Sequence, residues 1–195
     1  MFIRCINRHD NVWNASNVWT RKINLVSAST VGDIWDRHIV DSAQILQFAP
    51  PSFNTWVDIG SGGGFPGIVM AAMSKDINPE AGFTLIESDQ RKCAFLRTAA
   101  RELEIKVTVL AQRIDVALPQ NADVISARAL SSLTELMPHF QRHLRLEGVA
   151  LLHKGRKWSE EVQQSRKEWA FEIEDYPSMT DDEARIIKLN RIDSV

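Results

Sequence analysis

The sequence predicts an α/β fold in which a helical extension precedes a doubly wound, mostly parallel sheet. Three observations predict it. Five short apolar runs alternate with helical stretches from Thr55 onward, a glycine-rich turn leads from the first run into a helix, and the last two strand-like runs have no helix between them. Apolar strands separated by helices indicate a parallel sheet covered on both faces. The final pair predicts an antiparallel hairpin at its edge.

The extension is assigned to residues 1–50 and the globular domain to residues 51–195. Within residues 33–48, Trp35, Ile39, Ser42 and Ile45 or Leu46 recur at helical steps of three and four. Thr30, three residues before an aspartate, resembles a capping box with Asp in place of Glu. The Ala-Pro-Pro at 49–51 is expected to end the helix.

The five parallel strands are predicted at residues 55–59, 82–87, 105–110, 122–127 and 148–153. Helices are expected at FPGIVMAAM, QRKCAFLRTAAREL and SLTELMPHFQRHL, and the hairpin strands at residues 169–176 and 184–192. Ligands of such sheets bind beyond the carboxyl ends of the strands, so side chains there are the candidates for function.

Composition excludes few classes of protein, but it bears on cellular location, metal binding and nucleic-acid binding. The chain is 44% hydrophobic and 25% charged, and no apolar run approaches the ~18 residues of a membrane span. The N-terminus lacks a secretory pattern, so we expect a cytoplasmic protein. Cys5 and Cys93 are far apart and the histidines form no cluster, which predicts free thiols and no metal. The net charge is −2, yet residues 128–157 hold six Lys and Arg against two acids, enough for a local phosphate-binding patch or simply for solvated surface.

The glycine-rich segment VDIGSGGGFPG, residues 57–67, is the strongest local signal. Glycines such as Gly60, Gly62 and Gly64 allow a sharp turn and the close approach of a ligand. The same spacing also fits the dinucleotide-binding fingerprint, so the glycines alone do not identify the ligand.

Two acids favour S-adenosylmethionine (SAM) over a dinucleotide. Asp58 directly precedes the loop, where a carboxylate suits the ammonium and sulfonium charges of SAM and would oppose a pyrophosphate. Glu87 ends the second strand, where an acid accepts hydrogen bonds from ribose hydroxyls of either ligand. After the third strand, Ile114 is placed to contact an adenine and Asp115 to face its amino group, although a solvated loop acid is the plainer interpretation of Asp115.

The segment after the fourth strand, ISARALSSL, restricts the methyl acceptor. It contains no Asn/Asp-Pro-Pro-aromatic motif for amino groups, and neither cysteine stands in a setting for attack on a pyrimidine. An acceptor atom that needs no catalytic base for its methylation remains possible, such as guanine N7, whose lone pair carries no proton. Transfer to such an atom needs alignment more than proton removal, and Arg128 at the strand end and Lys154 are the candidates for positioning it.

From about Asn24 to the C-terminus, the segments RHIVDS, VDIGSGGGFPGI, IESDQRKCAFL, ISARALSSL and HKGR resemble the RsmG (GidB) family of small-subunit ribosomal RNA methyltransferases. The resemblance implies a Rossmann-like class I methyltransferase that modifies N7 of one guanine in 16S RNA, with the small subunit or an assembly intermediate as partner. It implies SAM contacts by Gly60, Phe65, Ile114, Asp115 and Arg128. It also implies RNA contacts by basic residues on three segments, namely Arg37, His38, Arg91, Lys92, Lys154 and Arg156.

Other interpretations stay open from the residues alone. Arg91 and Lys92 also fit the solvated face of a helix. A methyltransferase for a small molecule or another RNA position would share the loop, and a dinucleotide-binding oxidoreductase or sensor would bind NAD instead. The opening NRHDNVWNASNVWTRK matches the family only loosely.

Overall fold

The computed structural model describes residues 35–195, which form one seven-stranded sheet flanked by helices. The strands are β1 (Thr55–Ile59), β2 (Gly82–Glu87), β3 (Val107–Ala111), β4 (Ala122–Arg128), β5 (Leu144–Lys154), β6 (Trp169–Pro177) and β7 (Arg185–Ser194). A helical segment, α1, combines a π-helical turn (Trp35–Val40), a short α-helical turn (Asp41–Ala43) and a 3-10 stretch (Gln44–Phe48). The helices that follow are α2 (Gly67–Ile77), α3 (Gln90–Glu102), α4 (Leu133–His143) and α5 (Trp158–Ser165).

The sheet has the order β3-β2-β1-β4-β5-β7-β6. Strands β1 to β5 pair in parallel, whereas β7 is antiparallel to both β5 and β6. The predicted doubly wound sheet with a terminal antiparallel hairpin is therefore confirmed. The strand order reverses between β1 and β4, and such a switch point leaves a crevice beyond the carboxyl ends of the strands.

Alternate residues of the central strands are buried in different layers. Val57 and Ile125 face α4 and α5, while Trp56 and Val124 face α1 and α2. Trp56 is fully buried, and complete burial of a large apolar side chain stabilises a fold by about 2–3 kcal/mol. Burial on both faces explains why the strands read as continuous apolar runs in the sequence.

The described part of the predicted extension packs onto the sheet. Ile39, Ala43 and Ile45 are buried in the same core layer as Trp56, and Ser42 is buried beside them, as the helical spacing predicted. The helix is irregular, and the Ser42 hydroxyl donates a hydrogen bond to the His38 carbonyl within it. The proposed cap at Thr30 and the loosely matching opening lie outside the described residues, and the domain boundary at residue 50 stays a prediction.

Helix α5 was not predicted. It has eight residues, and among them only Val162 and Ser165 are buried, so its apolar periodicity is too short to recognise. The acids Glu160 and Glu161 in its first turn were the available signal. Strand β5 also starts earlier than predicted, at Leu144, directly after α4. Within residues 35–195, no helix is long and apolar enough to cross a membrane.

Candidate active site

An open cavity of about 500 Å³ lies beyond the carboxyl ends of β1, β2, β3 and β4. This first cavity therefore occupies the switch point where ligands of doubly wound sheets bind. It is lined by the glycine loop, the ends of β2 and β4, the segment after β3 and single residues of α1, α3 and α4: His38, Gly60, Ser61, Gly62, Gly63, Phe65, Ile86, Glu87, Ser88, Lys92, Gln112, Arg113, Ile114, Asp115, Arg128, Ala129, Leu130 and His139.

The glycine loop presents open backbone to this cavity at Gly62. Its φ is +52°, a conformation that costs residues with a side chain about 1–2 kcal/mol. A Cβ built there meets only the Gly60 carbonyl oxygen, at 3.7 Å, so the space beside this backbone is free for a ligand. The Gly62 N–H donates to Glu87 Oε2 at 2.9 Å, which ties the loop to the end of β2.

Glu87 lies in the cavity wall, with 8% of its surface exposed. Its second oxygen, Oε1, accepts a hydrogen bond from the Asp89 N–H at 2.8 Å. Asp89 in turn caps α3, because its side chain accepts from the N–H groups of Arg91 and Lys92. The Glu87 carboxylate is thus held rigidly by two backbone donors while it faces the cavity, and a carboxylate has lone pairs for further donors such as ribose hydroxyls.

Gly64 does not line the first cavity. Its φ is +88°, and a Cβ there would lie 2.7 Å from Ile68 Cγ1 and 3.3 Å from Leu96 Cδ2. The loop therefore needs glycine at this position to pack against α2 and α3. The sequence predicted that Gly64 contacts the cofactor, but a side chain at this position would point into the core and not into the first cavity.

Asp58 is buried beneath the loop, with 1% of its surface exposed, and does not line the cavity either. Trp56 Nε1 donates to Ser126 Oγ at 2.9 Å, and Ser126 donates to Asp58 Oδ1 at 2.6 Å, so a buried hydrogen-bond chain joins β1 to β4. Asp58 Oδ2 has no hydrogen-bond partner among the described residues. Burial raises the pKa of Asp58 to about 6, although the Ser126 hydrogen bond opposes the shift. Because Asp58 is buried and does not line the first cavity, its carboxylate is not exposed for the direct contact with an ammonium group that the sequence predicted.

The segment after β3 forms the opposite wall of the cavity. Asp115 is exposed, and its carboxylate accepts two hydrogen bonds from the guanidinium of Arg113, at 3.0 and 3.1 Å. His143 Nε2 donates to the Ile114 carbonyl at 3.0 Å, which anchors the segment to α4. The structure places Ile114 and Asp115 in the wall of the cavity, and their contact with adenine stays a prediction. It adds Arg113 and the α4 anchor, which sequence reasoning missed.

Arg128 ends β4 at the rim of the first cavity. Its Nη2 lies 3.1 Å from Asp41 Oδ2 and also donates to the carbonyl of Arg37. Asp41 Oδ1 accepts from Thr180 Oγ1 at 2.9 Å, so the buried aspartate connects α1, β4 and the β6–β7 turn. Sequence reasoning did not identify Asp41 as a candidate, because its partners are distant in the chain.

His38 stands beside Arg128 and stacks on Phe65, with ring centroids 5.1 Å apart. Both ring nitrogens are buried without a hydrogen-bond partner among the described residues. Burial, together with the nearby charges of Arg128 and Arg37, lowers the pKa of His38 to about 4. The imidazole is therefore neutral at pH 7, and a neutral ring can both donate and accept one hydrogen bond.

Lys154 is buried, with 8% of its surface exposed, rather than extended into solvent. Its Nζ donates to Glu161 Oε2 at 2.8 Å and to the Ser131 carbonyl at 2.9 Å. Glu161 Oε2 also accepts from the Leu133 N–H at the start of α4. Lys154 thus fixes the segment between β4 and α4, and any contact with RNA would compete with this ion pair.

The other predicted RNA contacts are divided between the cavity walls and the exposed surface. Arg91 is exposed and pairs with Asp89 at 3.3 Å, and Lys92 lines the first cavity. Arg156 is exposed, 3.9 Å from a Glu183 oxygen. Arg37 and His38 line a second open cavity of about 560 Å³. Among the described residues, no group of three or more metal-ligand side chains is placed to hold a metal ion.

The family model described as "rRNA small subunit methyltransferase G" matches residues 10–186. The chain is 47% identical over 177 residues to the ribosomal RNA small subunit methyltransferase G of Ruegeria sp. (strain TM1040), which covers 91% of this chain and 86% of the relative. It is 51% identical over 171 residues to the protein of the same name from Cereibacter sphaeroides (strain ATCC 17025 / ATH 2.4.3), covering 88% and 82%.

Solved structures share the fold at low identity. A TehB-like SAM-dependent methyltransferase from Corynebacterium glutamicum superposes with a TM-score of 0.61 at 13% identity, covering 91% of this chain and 98% of that one. A SAM-dependent methyltransferase from Aquifex aeolicus gives a TM-score of 0.61 at 14% identity, covering 85% and 94%.

Proposed function

This chain belongs to the rRNA small subunit methyltransferase G family, and from that premise we propose that it transfers a methyl group from SAM to N7 of one guanine in 16S ribosomal RNA. The observation that carries the proposal is the first cavity, where open backbone at Gly62 and the fixed carboxylate of Glu87 face Arg128 across the strand ends. Family membership supplies the reaction class and the RNA substrate.

The residues of the first cavity fit SAM. Glu87 would hold the ribose hydroxyls, Ile114 the adenine ring and Asp115 its amino group, and the open backbone at Gly62 leaves room for the methionine part. When bound, SAM supplies an electrophilic methyl group on a sulfonium centre. Asp58 acts beneath the loop, where its hydrogen bond to Ser126 keeps the ends of β1 and β4 together.

The chain's own residues supply positioning and charge balance. Guanine N7 has an unprotonated lone pair, so its methylation requires no general base, only alignment and exclusion of water. Consistent with this, His38 is neutral at the rim of the cavity and Arg128 is neutralised by Asp41. Arg128 keeps further N–H donors for the acceptor base, since a guanidinium has five.

The proposed partner is 16S RNA within the small subunit or one of its assembly intermediates, which places the enzyme in the cytoplasm. Lys92 lines the first cavity and Arg37 the second, while Arg91 and Arg156 are exposed, and all four would contact phosphates. Lys154 would contribute by fixing the segment after β4.

The test is radiolabelled methyl transfer from SAM to small subunits and to free 16S RNA lacking the modification, followed by nucleoside analysis. Label in 7-methylguanosine is expected, and subunits that already carry the modification are the matched control. Label in another nucleoside would refute the N7 assignment. An absence of label in both RNA substrates, with SAM bound, would refute RNA as the acceptor.

A further inference from the structure

The second cavity, of about 560 Å³, adjoins the first and shares three residues with it: His38, Arg128 and Ala129. Its volume falls within the ~300–1,000 Å³ usual for sites that bind small organic groups. A third cavity also reaches Arg128, but at about 160 Å³ it is too small for a nucleotide. The second cavity is therefore large enough, and close enough to the first, for an acceptor base in it to face the methyl donor's site.

The orientation of an acceptor guanine follows from its chemistry. N7 and O6 share one edge of the base, and the N1–H and N2–H donors lie on the opposite side. Enzymes that modify a base commonly extrude it from the stacked nucleic acid into a pocket. If N7 points toward the first cavity, the two donors must point at the far part of the second cavity and need an acceptor there.

The carboxylate nearest the shared wall is already engaged. Asp41 accepts from Gln44 and Thr180 on Oδ1 and pairs with Arg128 on Oδ2, and the Arg37 carbonyl accepts from Arg128. Arg128 itself is a donor, suited to guanine O6. The ring nitrogens of His38 and His153 that have no partner among the described residues can each accept only one hydrogen bond, so neither ring can take both donors. A carboxylate that is free to accept from both donors must therefore come from the β6–β7 turn, which forms another part of the wall of this cavity.

Asp181 is the carboxylate that this turn contributes to the second cavity. Its Oδ1 accepts from the Glu183 N–H at 2.9 Å, and within residues 35–195 its Oδ2 makes no hydrogen bond or ion pair. The turn is fixed relative to Arg128, because the adjacent Thr180 donates to Asp41 and Asp41 pairs with Arg128. Ser178 and Met179 are held by Gln44 in the same way.

We propose that the second cavity receives the acceptor guanine, with Arg128 donating to O6 beside N7 and Asp181 accepting from N1–H and N2–H as the residue that selects guanine. This inference rests on the proposed function and adds to it a site and a specificity-determining residue. Adenine and the pyrimidines lack two adjacent donors that a single carboxylate can accept, so Asp181 would discriminate against them.

Asp182 provides a matched control. It is the next residue in the turn and is exposed, but it does not line any of the three cavities. An Asp181→Asn variant keeps an oxygen for the Glu183 N–H and replaces the free carboxylate oxygen by a donor, so the turn is preserved while guanine recognition is lost. Asp182→Asn makes the same change in charge next to the cavity.

The experiment titrates the full-length protein, saturated with S-adenosylhomocysteine, with GMP, IMP and AMP and follows binding by NMR. IMP differs from GMP by the N2 amino group alone. We expect wild-type protein to prefer GMP over IMP by about tenfold, the lower end for a hydrogen bond to a charged group. Asp181→Asn should lose about tenfold in GMP affinity and bind GMP and IMP equally, with unchanged affinity for S-adenosylhomocysteine, and Asp182→Asn should behave as wild type.

A preserved preference for GMP in Asp181→Asn, an equal loss in Asp182→Asn, or no GMP-dependent shifts at residues of the second cavity would each overturn the assignment. Methyl transfer by the wild type separates this inference from the proposed function. Label in 7-methylguanosine together with one of these results would refute only the role of Asp181, whereas label at another nucleoside would refute the proposed function itself.

Discussion

The two loop glycines Gly62 and Gly64 should respond differently to substitution by alanine. Both have positive φ, so each alanine costs about 1–2 kcal/mol in backbone strain. At Gly62 the new methyl enters open space in the first cavity, whereas at Gly64 it lies 2.7 Å from Ile68 Cγ1 and forces the packing of α2 to shift. Overpacking of this kind adds about 1–3 kcal/mol.

The expected magnitudes follow from these terms. One kcal/mol corresponds to about 2–4 °C in Tm for a chain of this size. Gly62→Ala should therefore lower Tm by roughly 2–8 °C, and Gly64→Ala by roughly 4–20 °C. The affinity for the cofactor should show the opposite order, with the larger loss in Gly62→Ala. The methyl group at Gly62 occupies the space through which the ligand approaches and should cost at least about tenfold in affinity, or about 1.4 kcal/mol.

The assay combines thermal unfolding without ligand and calorimetric titration with S-adenosylhomocysteine well below both Tm values. Gly64→Ala, once folded, should bind within about threefold of wild type. Equal losses of affinity in the two variants would refute the distinction, because of these two glycines only Gly62 lines the first cavity. Unchanged affinity in Gly62→Ala would refute the assignment of the cavity to SAM.

Three further predictions concern buried charges. Burial raises the pKa of Asp58 from 3.8 to about 6, so the folded protein holds a proton that the unfolded chain releases. Stability relative to Asp58→Asn, measured in ligand-free urea titrations, should therefore fall by about 2 kcal/mol as pH rises from 4 to 7. A pH-independent difference between the two proteins would contradict this. Glu87→Gln should leave the N–H of Gly62 or of Asp89 facing an amide donor. The affinity for S-adenosylhomocysteine, measured by calorimetry, should therefore fall about tenfold. Undiminished affinity would exclude the proposed contact of Glu87 with the ribose. Lys154→Met should lower the free energy of unfolding by about 1–3 kcal/mol, a range that is discounted because Glu161 is partly exposed. The matched change at an exposed lysine, Lys157→Met, should alter this free energy by less than about 0.5 kcal/mol. Equal effects of the two substitutions would contradict the role of Lys154 in fixing the segment between β4 and α4.

The elements that sequence predicted well are those whose signal is local. Strand β2 begins and ends at the predicted residues, because burial on both faces leaves a mostly apolar run that is bounded by Gly82 and Glu87. Gly62, Glu87 and Ile114 follow directly from strand ends, and strand ends in this fold meet at one edge of the sheet. Helix α5 escaped prediction because one buried apolar residue in eight carries no period.

Side-chain partners could not be predicted in the same way. Asp41 and Thr180 are 139 residues apart, and nothing in either segment announces the other. Lys154 and Glu161 are only seven residues apart, yet their pairing depends on how α5 turns back after β5, which the sequence did not reveal. The basic motif that contains Lys154 suggested RNA contact, and its burial beside Glu161 became apparent only from the packing.

The pairing of Arg128 with Asp41 reconciles two demands on the rim of the first cavity. Recognition of guanine O6 calls for a strong donor there, but a methyl donor with a sulfonium charge is repelled by an unpaired cation. For scale, any two positive charges would repel by about 2 kcal/mol at a separation of about 8 Å and an effective dielectric constant of 20, which corresponds to roughly thirtyfold in binding. Asp41, 3.1 Å from the guanidinium, cancels most of that repulsion while leaving other N–H groups free to donate. In the proposed arrangement, the buried carboxylate on α1 would thereby allow one arginine to serve the acceptor base without opposing the cofactor.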